Sequence, residues 1–257
     1  MDHFIITGTS RGIGAAIANR LLVQGNALYC VSRTMNEDLV ERASSQHIPL
    51  YYHETDLSSL GLAERFLGEV FSKIDLTMAG RIALINNAGM LEPIAPLGHT
   101  RPELMEKHLA LNLLTPAVLM SGFIRYTFGY SIPKVILNIS SGASTIPYSG
   151  WSMYCASKAG LNMLSRTAGL EQSVAVEPVR IFALAPGIVD TSMQTLIRHT
   201  DPEYFSEKEF FVKLHSEGRL SDPDLVAGII TGSLFNPAIP QGGVLTIDQL
   251  KEFVVAG

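Results

Sequence analysis

The chain has 257 residues, 47% hydrophobic and 17% charged, which suits one large α/β domain or two small ones, with a sizeable core and no need for disorder. The net charge is -5 and no basic run is present, so nucleic acid is not an expected partner. Two cysteines, Cys30 and Cys155, are too few for a disulfide framework or a zinc centre; they read as small buried residues of a reducing compartment, and no metal site is expected.

The first residues, "MDHFIITG", open a strand at once and lack the basic and long apolar regions of a signal peptide. No apolar run approaches the roughly 20 residues of a membrane span, so a cytoplasmic protein with no membrane partner is expected. Strands are predicted over His3–Thr7, Ala27–Ser32, Pro49–Glu54, Arg81–Asn86, Lys134–Ser140, Val179–Ala185 and Gly242–Ile247. Most are near-continuous apolar runs, the mark of parallel strands covered on both faces. Helical patterns fill the gaps near Gly12–Gln24, Asn36–Gln46, Ser58–Ser72, Arg101–Phe128, Trp151–Gln172 and Ser221–Phe235. This alternation predicts a doubly wound, Rossmann-type parallel sheet with helices on both faces, in a single domain over residues 1–257. The stretch Thr191–Gly218 breaks the rhythm and must run outside the sheet; it reads as a substrate lid, with a pair of packing helices as the alternative.

The first strand runs into "TGTSRGIG", with Gly8, Gly12 and Gly14 spaced G-x-x-x-G-x-G. Glycines allow a tight turn and close approach of backbone to a pyrophosphate, and the helix that follows offers free N–H groups and a partial positive charge. The second strand ends "CVSRT", with Arg33 where an NAD site usually carries an acidic residue, and Arg11 lies inside the glycine turn. Two guanidinium groups there suit a ribose 2′-phosphate, so NADP(H) is the expected cofactor. Other polar residues collect at carboxyl ends of strands: Asp56 in "ETDL", suited to an adenine amino group; "NNAG" at Asn86–Gly89; "NISSG"; and "APGIVDT" with Pro186, Gly187 and Thr191. Asn87 is placed to bridge neighbouring strand ends. In "WSMYCASKAG", Tyr154 and Lys158 share one helix face at i, i+4.

These motifs, with Asn112 in "LALNLL" and Ser141 in "NISSG", resemble those of the short-chain dehydrogenase/reductases over nearly the whole chain. The resemblance implies a seven-stranded sheet and a homodimer or tetramer, with the helices ending near Phe128 and Gln172 as the interface. It implies a catalytic set of Asn112, Ser141, Tyr154 and Lys158. Tyr154 would be the general acid, Ser141 would bond the carbonyl oxygen, Lys158 would bond the nicotinamide ribose and lower the Tyr154 pKa, and Asn112 would hold a water. Each residue alone has an ordinary structural explanation; it is their conjunction with the glycine turn that points to catalysis. Strand alternation sends Ser140 and Ser141 to opposite faces, and the spacing to Tyr154 favours Ser141. Cofactor contacts are implied for Gly8, Ser10, Arg11, Gly12, Ile13, Gly14, Arg33, Asp56, Leu57, Asn87, Ala88, Gly89, Tyr154, Lys158, Pro186, Gly187, Ile188 and Thr191.

Within the family, "GWSMYCASKAG", "APGIVDTSMQTL" and "EGRLSDPDLVAGII" resemble the sepiapterin reductases and the bacterial benzil (diketone) reductases, NADPH-dependent carbonyl reductases. Ser141, Tyr148, Trp151, Tyr154 and Met193 are the expected substrate contacts, with Met90 and Leu196 as further apolar wall. In animal sepiapterin reductases an Asp at the last strand grips the pterin. Here a gapless comparison places Ile247 at that point, and Asp248 would serve only after a one-residue shift that reverses its side. The alternatives to a small-molecule carbonyl reductase are a non-catalytic NADP(H)-binding regulator and an NAD-linked alcohol dehydrogenase on the same fold.

Overall fold

A computed structural model describes residues 1–254. Strands β1 (Asp2–Thr7), β2 (Asn26–Ser32), β3 (Leu50–Glu54), β4 (Arg81–Asn86), β5 (Lys134–Ile139), β6 (Arg180–Ala185) and β7 (Gly243–Thr246) form one sheet in the order β3-β2-β1-β4-β5-β6-β7. Every neighbouring pair is parallel. The chain starts in the middle, steps outward to β3, then crosses back to β4 and steps outward the other way. The strand order reverses between β1 and β4, and a crevice at the carboxyl ends there is where such sheets bind ligands.

The sheet is covered on both faces, as the apolar runs predict. Along β1, Phe4 and Ile6 enter one core and Ile5 the other. Helices α1 (Gly12–Leu21), α2 (Glu37–Ser45) and α9 (Pro223–Ser233) send Ile17, Leu39 and Ile230 into the first core. Helices α3 (Leu60–Phe71), α5 (Thr115–Tyr126) and α6 (Ser152–Gln172) send Phe66, Phe123 and Ala168 into the second. Every residue of β2 and β5 is buried, so neither strand alternates in polarity; β3, at the sheet edge, is only partly buried. Caps fix helix starts: Asn36 accepts from the Leu39 N–H ahead of α2, and Asp222 accepts from the Asp224 N–H with Pro223 in the first turn of α9.

Three local expectations are corrected. The helix predicted over Arg101–Phe128 is α4 (Pro102–Leu109), a π-turn over Ala110–Leu114, then α5. Pro116 has no N–H to give the Asn112 carbonyl four residues back, and the Thr115 N–H reaches five residues back to Ala110. This helical stretch, Pro102–Tyr126, has 25 residues and is long and apolar enough to cross a membrane, contrary to the sequence reading. Asn112, Pro116 and Arg125 interrupt its apolar run, which hid its length. In the fold, its Leu119, Met120 and Phe123 are buried on the sheet side beside α3. Finally, the last strand stops at Thr246, where a capping box between Thr246 and Gln249 starts α10 (Ile247–Lys251).

Candidate active site

The glycine turn is built for close approach. Gly8 and Gly12 have φ of 74° and 62°, backbone that L side chains rarely adopt. A Cβ on Gly14 would collide with the Gly8 carbonyl oxygen and the Asn87 amide. Arg11 sits at the N-cap of α1 in extended conformation and no side chain caps the helix, so its first N–H groups are free for an anion. Arg11 and Arg33 are both exposed, and neither pairs with a carboxylate among the described residues. Ser10 and Ile13 are half-buried in the same turn. These features form a cradle that fits a dinucleotide.

The strand ends converge on this turn. Asn87 bridges β1 and β4 as expected, its amide donating to the carbonyls of Thr7 (2.9 Å) and Gly8 (3.1 Å). The Thr7 hydroxyl accepts from the Asn87 and Ala88 N–H groups. After β3, Asp56 accepts from the Ser58 N–H and hydroxyl. Burial works to raise the Asp56 pKa, but these bonds and the nearby Lys107 and Arg33 charges hold it below the usual value. Leu57 is buried, its carbonyl taken by the Thr115 hydroxyl. After β6, Pro186 is buried, Gly187 turns at φ 81°, and the Ile188 carbonyl accepts from the Ser221 N–H. Thr191, at the start of α7 (Ser192–His199), closes the ring: a Cβ on Gly12 would lie 3.2 Å from its methyl group.

Around this crevice stand the four expected catalytic residues. Tyr154 and Lys158 are buried on α6, and the Lys158 Nζ lies 5.8 Å from the centre of the Tyr154 ring. The ammonium donates to the Ile139 carbonyl at 2.8 Å. Burial depresses its pKa to about 8. Burial pushes the Tyr154 phenol up, and Ser141 works in the opposite direction. Ser141, not Lys158, is the group that works against burial here; the Lys158 ammonium is engaged by the Ile139 carbonyl. Ser141 follows β5 half-buried, its hydroxyl accepting from the Ala143 N–H, while its neighbour Ser140 is buried, as strand alternation requires. Gly89 lies where the groups meet: a Cβ there would be 3.4 Å from the Asn112 Oδ1 and 3.7 Å from the Lys158 Nζ.

Asn112 departs from expectation in detail. Its Oδ1 accepts from the Met90 N–H at 2.9 Å, its Nδ2 donates to the Met90 carbonyl at 2.7 Å, and Nδ2 also lies 3.0 Å from His108 Nε2. The side chain is thus committed to protein. The atom left for a water is its backbone carbonyl, which Pro116 deprives of its helical donor. His108, which the sequence reading missed, is fully buried four residues before Asn112.

The predicted lid forms two helices, α7 and α8 (Lys208–Ser216), and they are packed. Trp151 is 5% exposed, stacked on Phe205 at 4.6 Å and edge-on to Tyr154 at 5.7 Å. Phe211 and Ile197 complete this cluster. Trp151 is therefore packed between Tyr154 and Phe205 of the Thr191–Gly218 stretch rather than facing open space. Tyr148, Met193, Leu196 and Ile188 are half-buried at the cluster's border, and Met90 is half-buried beside Asn112. At the end of β7, Ile247 is half-buried and its Cγ2 would lie 3.8 Å from a Cβ on Gly187, whereas Asp248 is exposed and pairs with Lys251 at 2.9 Å.

The short chain dehydrogenase family model matches residues 2–202. The chain belongs to the short-chain dehydrogenase family. It is an oxidoreductase acting on the CH–OH/C=O couple, and its family uses a nicotinamide dinucleotide. Among its relatives, the Bacillus cereus "Benzil reductase ((S)-benzoin forming)" is 39% identical over 97% of this chain and 100% of that protein. The Rattus norvegicus sepiapterin reductase is 33% identical over 85% of each chain. The solved KRED1-Pglu enzyme superposes with a TM-score of 0.82 at 27% identity, over 95% of this chain and all of that one. The resemblance to sepiapterin and benzil reductases read from the motifs thus holds across this short-chain dehydrogenase.

Proposed function

We propose that the protein is an NADPH-dependent carbonyl reductase whose substrate is a vicinal diketone of the benzil type. When bound, the dihydronicotinamide supplies a hydride to the carbonyl carbon. Tyr154, protonated across the neutral range because burial raises its pKa, gives its proton to the carbonyl oxygen as negative charge grows there. Ser141 donates to the same oxygen. Lys158 would hold the nicotinamide ribose of the bound cofactor, and a water on the Asn112 carbonyl would link the ammonium to solvent. The exposed guanidinium groups of Arg11 in the glycine turn and Arg33 just after β2 support a 2′-phosphate and hence NADP(H) over NAD(H).

The observation that carries the diketone over a pterin is the end of β7. Ile247 borders Gly187 at the crevice, while Asp248 is exposed and engaged by Lys251, so no carboxylate is offered from that position to an aminopyrimidine. Helices α7 and α8 act as the lid over residues 191–218, with half-buried Tyr148, Met193 and Leu196 as its apolar lining and Trp151 packed behind them. The protein is a cytoplasmic homodimer in this reading. Exposed Met163 and Leu170 recur at i, i+7 on one side of α6, with exposed Val174 just beyond its end, a stripe suited to a second copy. NADPH consumption with benzil, 1-phenyl-1,2-propanedione, sepiapterin and simple ketones tests the substrate: benzil is expected to be turned over best, and a preference for sepiapterin would overturn the diketone assignment.

A further inference from the structure

His108 belongs to no part of the mechanism above, yet it is 0% exposed and touches two catalytic residues on two different helices. Its protonation state follows from its partners. Nδ1 lies 2.7 Å from the Glu92 carbonyl oxygen, which only accepts, so Nδ1 carries the hydrogen. Asn112 cannot be turned over, because its Oδ1 and Nδ2 are matched to the N–H and C=O of Met90. Its Nδ2 therefore presents its second hydrogen to His108 Nε2 at 3.0 Å, and Nε2 must be the bare, accepting nitrogen. Ser157 Oγ, 2.9 Å from the same Nε2, also lies 2.9 Å from the Tyr154 carbonyl oxygen. The imidazole ring stands edge-on to the Tyr154 ring, with centroids 6.1 Å apart.

The geometry points to His108 as a positioning residue that, as the neutral Nδ1–H tautomer, locks the Asn112 amide and packs against Tyr154, so that its protonation unlocks the site. Asn112 in turn holds the Met90 backbone, and its Oδ1 and the Lys158 Nζ both border Gly89, 3.4 and 3.7 Å from where a Cβ there would sit. A second proton on the ring would direct an Nε2–H to Ser157 Oγ, whose own hydrogen goes to the Tyr154 carbonyl, and would leave the Asn112 Nδ2–H without its acceptor, while the Met90 backbone prevents the amide from inverting. The titratable groups facing the ring are Tyr154 and Lys158 from α6 and Glu92 from the loop after β4; the π-turn brings only Asn112. Burial lowers the His108 pKa, the Glu92 carbonyl opposes this, and the Lys158 charge adds to it, so the locked form holds at neutral pH and is lost on the acid side.

This inference rests on the carbonyl reductase reading for its kinetic arm only. Two variants separate the partners. His108→Gln keeps an acceptor for Asn112 and abandons Glu92; His108→Asn keeps a donor for Glu92 and abandons Asn112. With NADPH and benzil, His108→Asn is expected to lose roughly tenfold or more in kcat with little change in benzil KM, while His108→Gln stays within about threefold of the parent. The acid-side fall of kcat in the parent is expected to disappear in His108→Gln, which no loss of packing would produce. Equal losses in both variants, or an unchanged acid limb in His108→Gln, would overturn the proposal. Imidazole nitrogen NMR of the unsubstituted protein needs no substrate: Nδ1–H at neutral pH is expected, and Nε2–H would overturn the proposal. If the protein proves inactive on every carbonyl, the functional reading fails while this NMR result still decides the role of His108.

Discussion

Lys158 sits one turn beyond Tyr154 on α6 and gives its ammonium to the Ile139 carbonyl at 2.8 Å, beside the end of β5 from which Ser141 emerges. Burial brings its pKa to about 8, so the side chain is cationic below that pH and neutral above it. NADPH affinity, measured by fluorescence titration, is expected to weaken as pH rises from 7 to 9.5. A flat profile would detach Lys158 from the cofactor.

The same shift has a stability consequence of defined sign. An unfolded lysine titrates near 10.4, so between that value and about 8 the folded chain binds fewer protons than the unfolded one. The cost of the buried charge is then complete below pH 8 and relieved as pH rises through this window. Lys158→Met is expected to abolish turnover and to raise Tm by a few degrees at pH 7 but less at pH 10, by thermal denaturation.

Arg11 and Arg33 make the cofactor choice testable. Loss of a charge-assisted pair with phosphate costs about 1.5–3 kcal/mol, or roughly ten- to a hundredfold in affinity. Arg33→Ala is expected to weaken NADPH by that factor and leave NADH nearly unaffected, and the double replacement with Arg11→Ala to reverse the preference. The ratio of kcat/KM for the two cofactors reads this directly.

Trp151 is stacked on Phe205 and edge-on to Tyr154. Trp151→Ala empties the centre of this cluster and is expected to cost about 3–5 kcal/mol, with kcat falling as Tyr154 loses its wall. Trp151→Phe is expected to recover most of both. Chemical denaturation and NADPH-coupled turnover check the pair.

Met163 and Leu170 are 59% and 73% exposed on α6. Replacing both with Glu is expected to convert a dimer to a monomer in sedimentation velocity. A monomeric parent would remove the dimer from the account.

The sheet, the glycine turn and the Tyr154–Lys158 pair were legible in the sequence because each is a local pattern: unbroken apolar runs, three glycines before a helix, and i, i+4 spacing. The strand-end residues were legible for the same reason, since parallel topology gathers every strand terminus at one edge. His108 was not, because its meaning depends on Glu92 and Ser157, 16 and 49 residues away. The engagement of the Asn112 side chain was hidden likewise, since the Met90 backbone that holds it lies 22 residues back. Trp151 was read as a pocket wall because nothing local reveals that Phe205, across the lid, covers its face. The turn that ends β7 at Thr246 required the Thr246–Gln249 capping box to be weighed against the apolar "GVLTI" run, which by itself extends the strand to Ile247.

The central claim is that Tyr154 is the proton donor of a carbonyl reduction. Single-turnover NADPH oxidation with benzil, comparing the parent with Tyr154→Phe, tests it most directly. The account predicts that the variant binds NADPH as the parent does but loses at least about a thousandfold in rate, with the hydroxyl alone removed from the ring. Retention of parental turnover by Tyr154→Phe would contradict it.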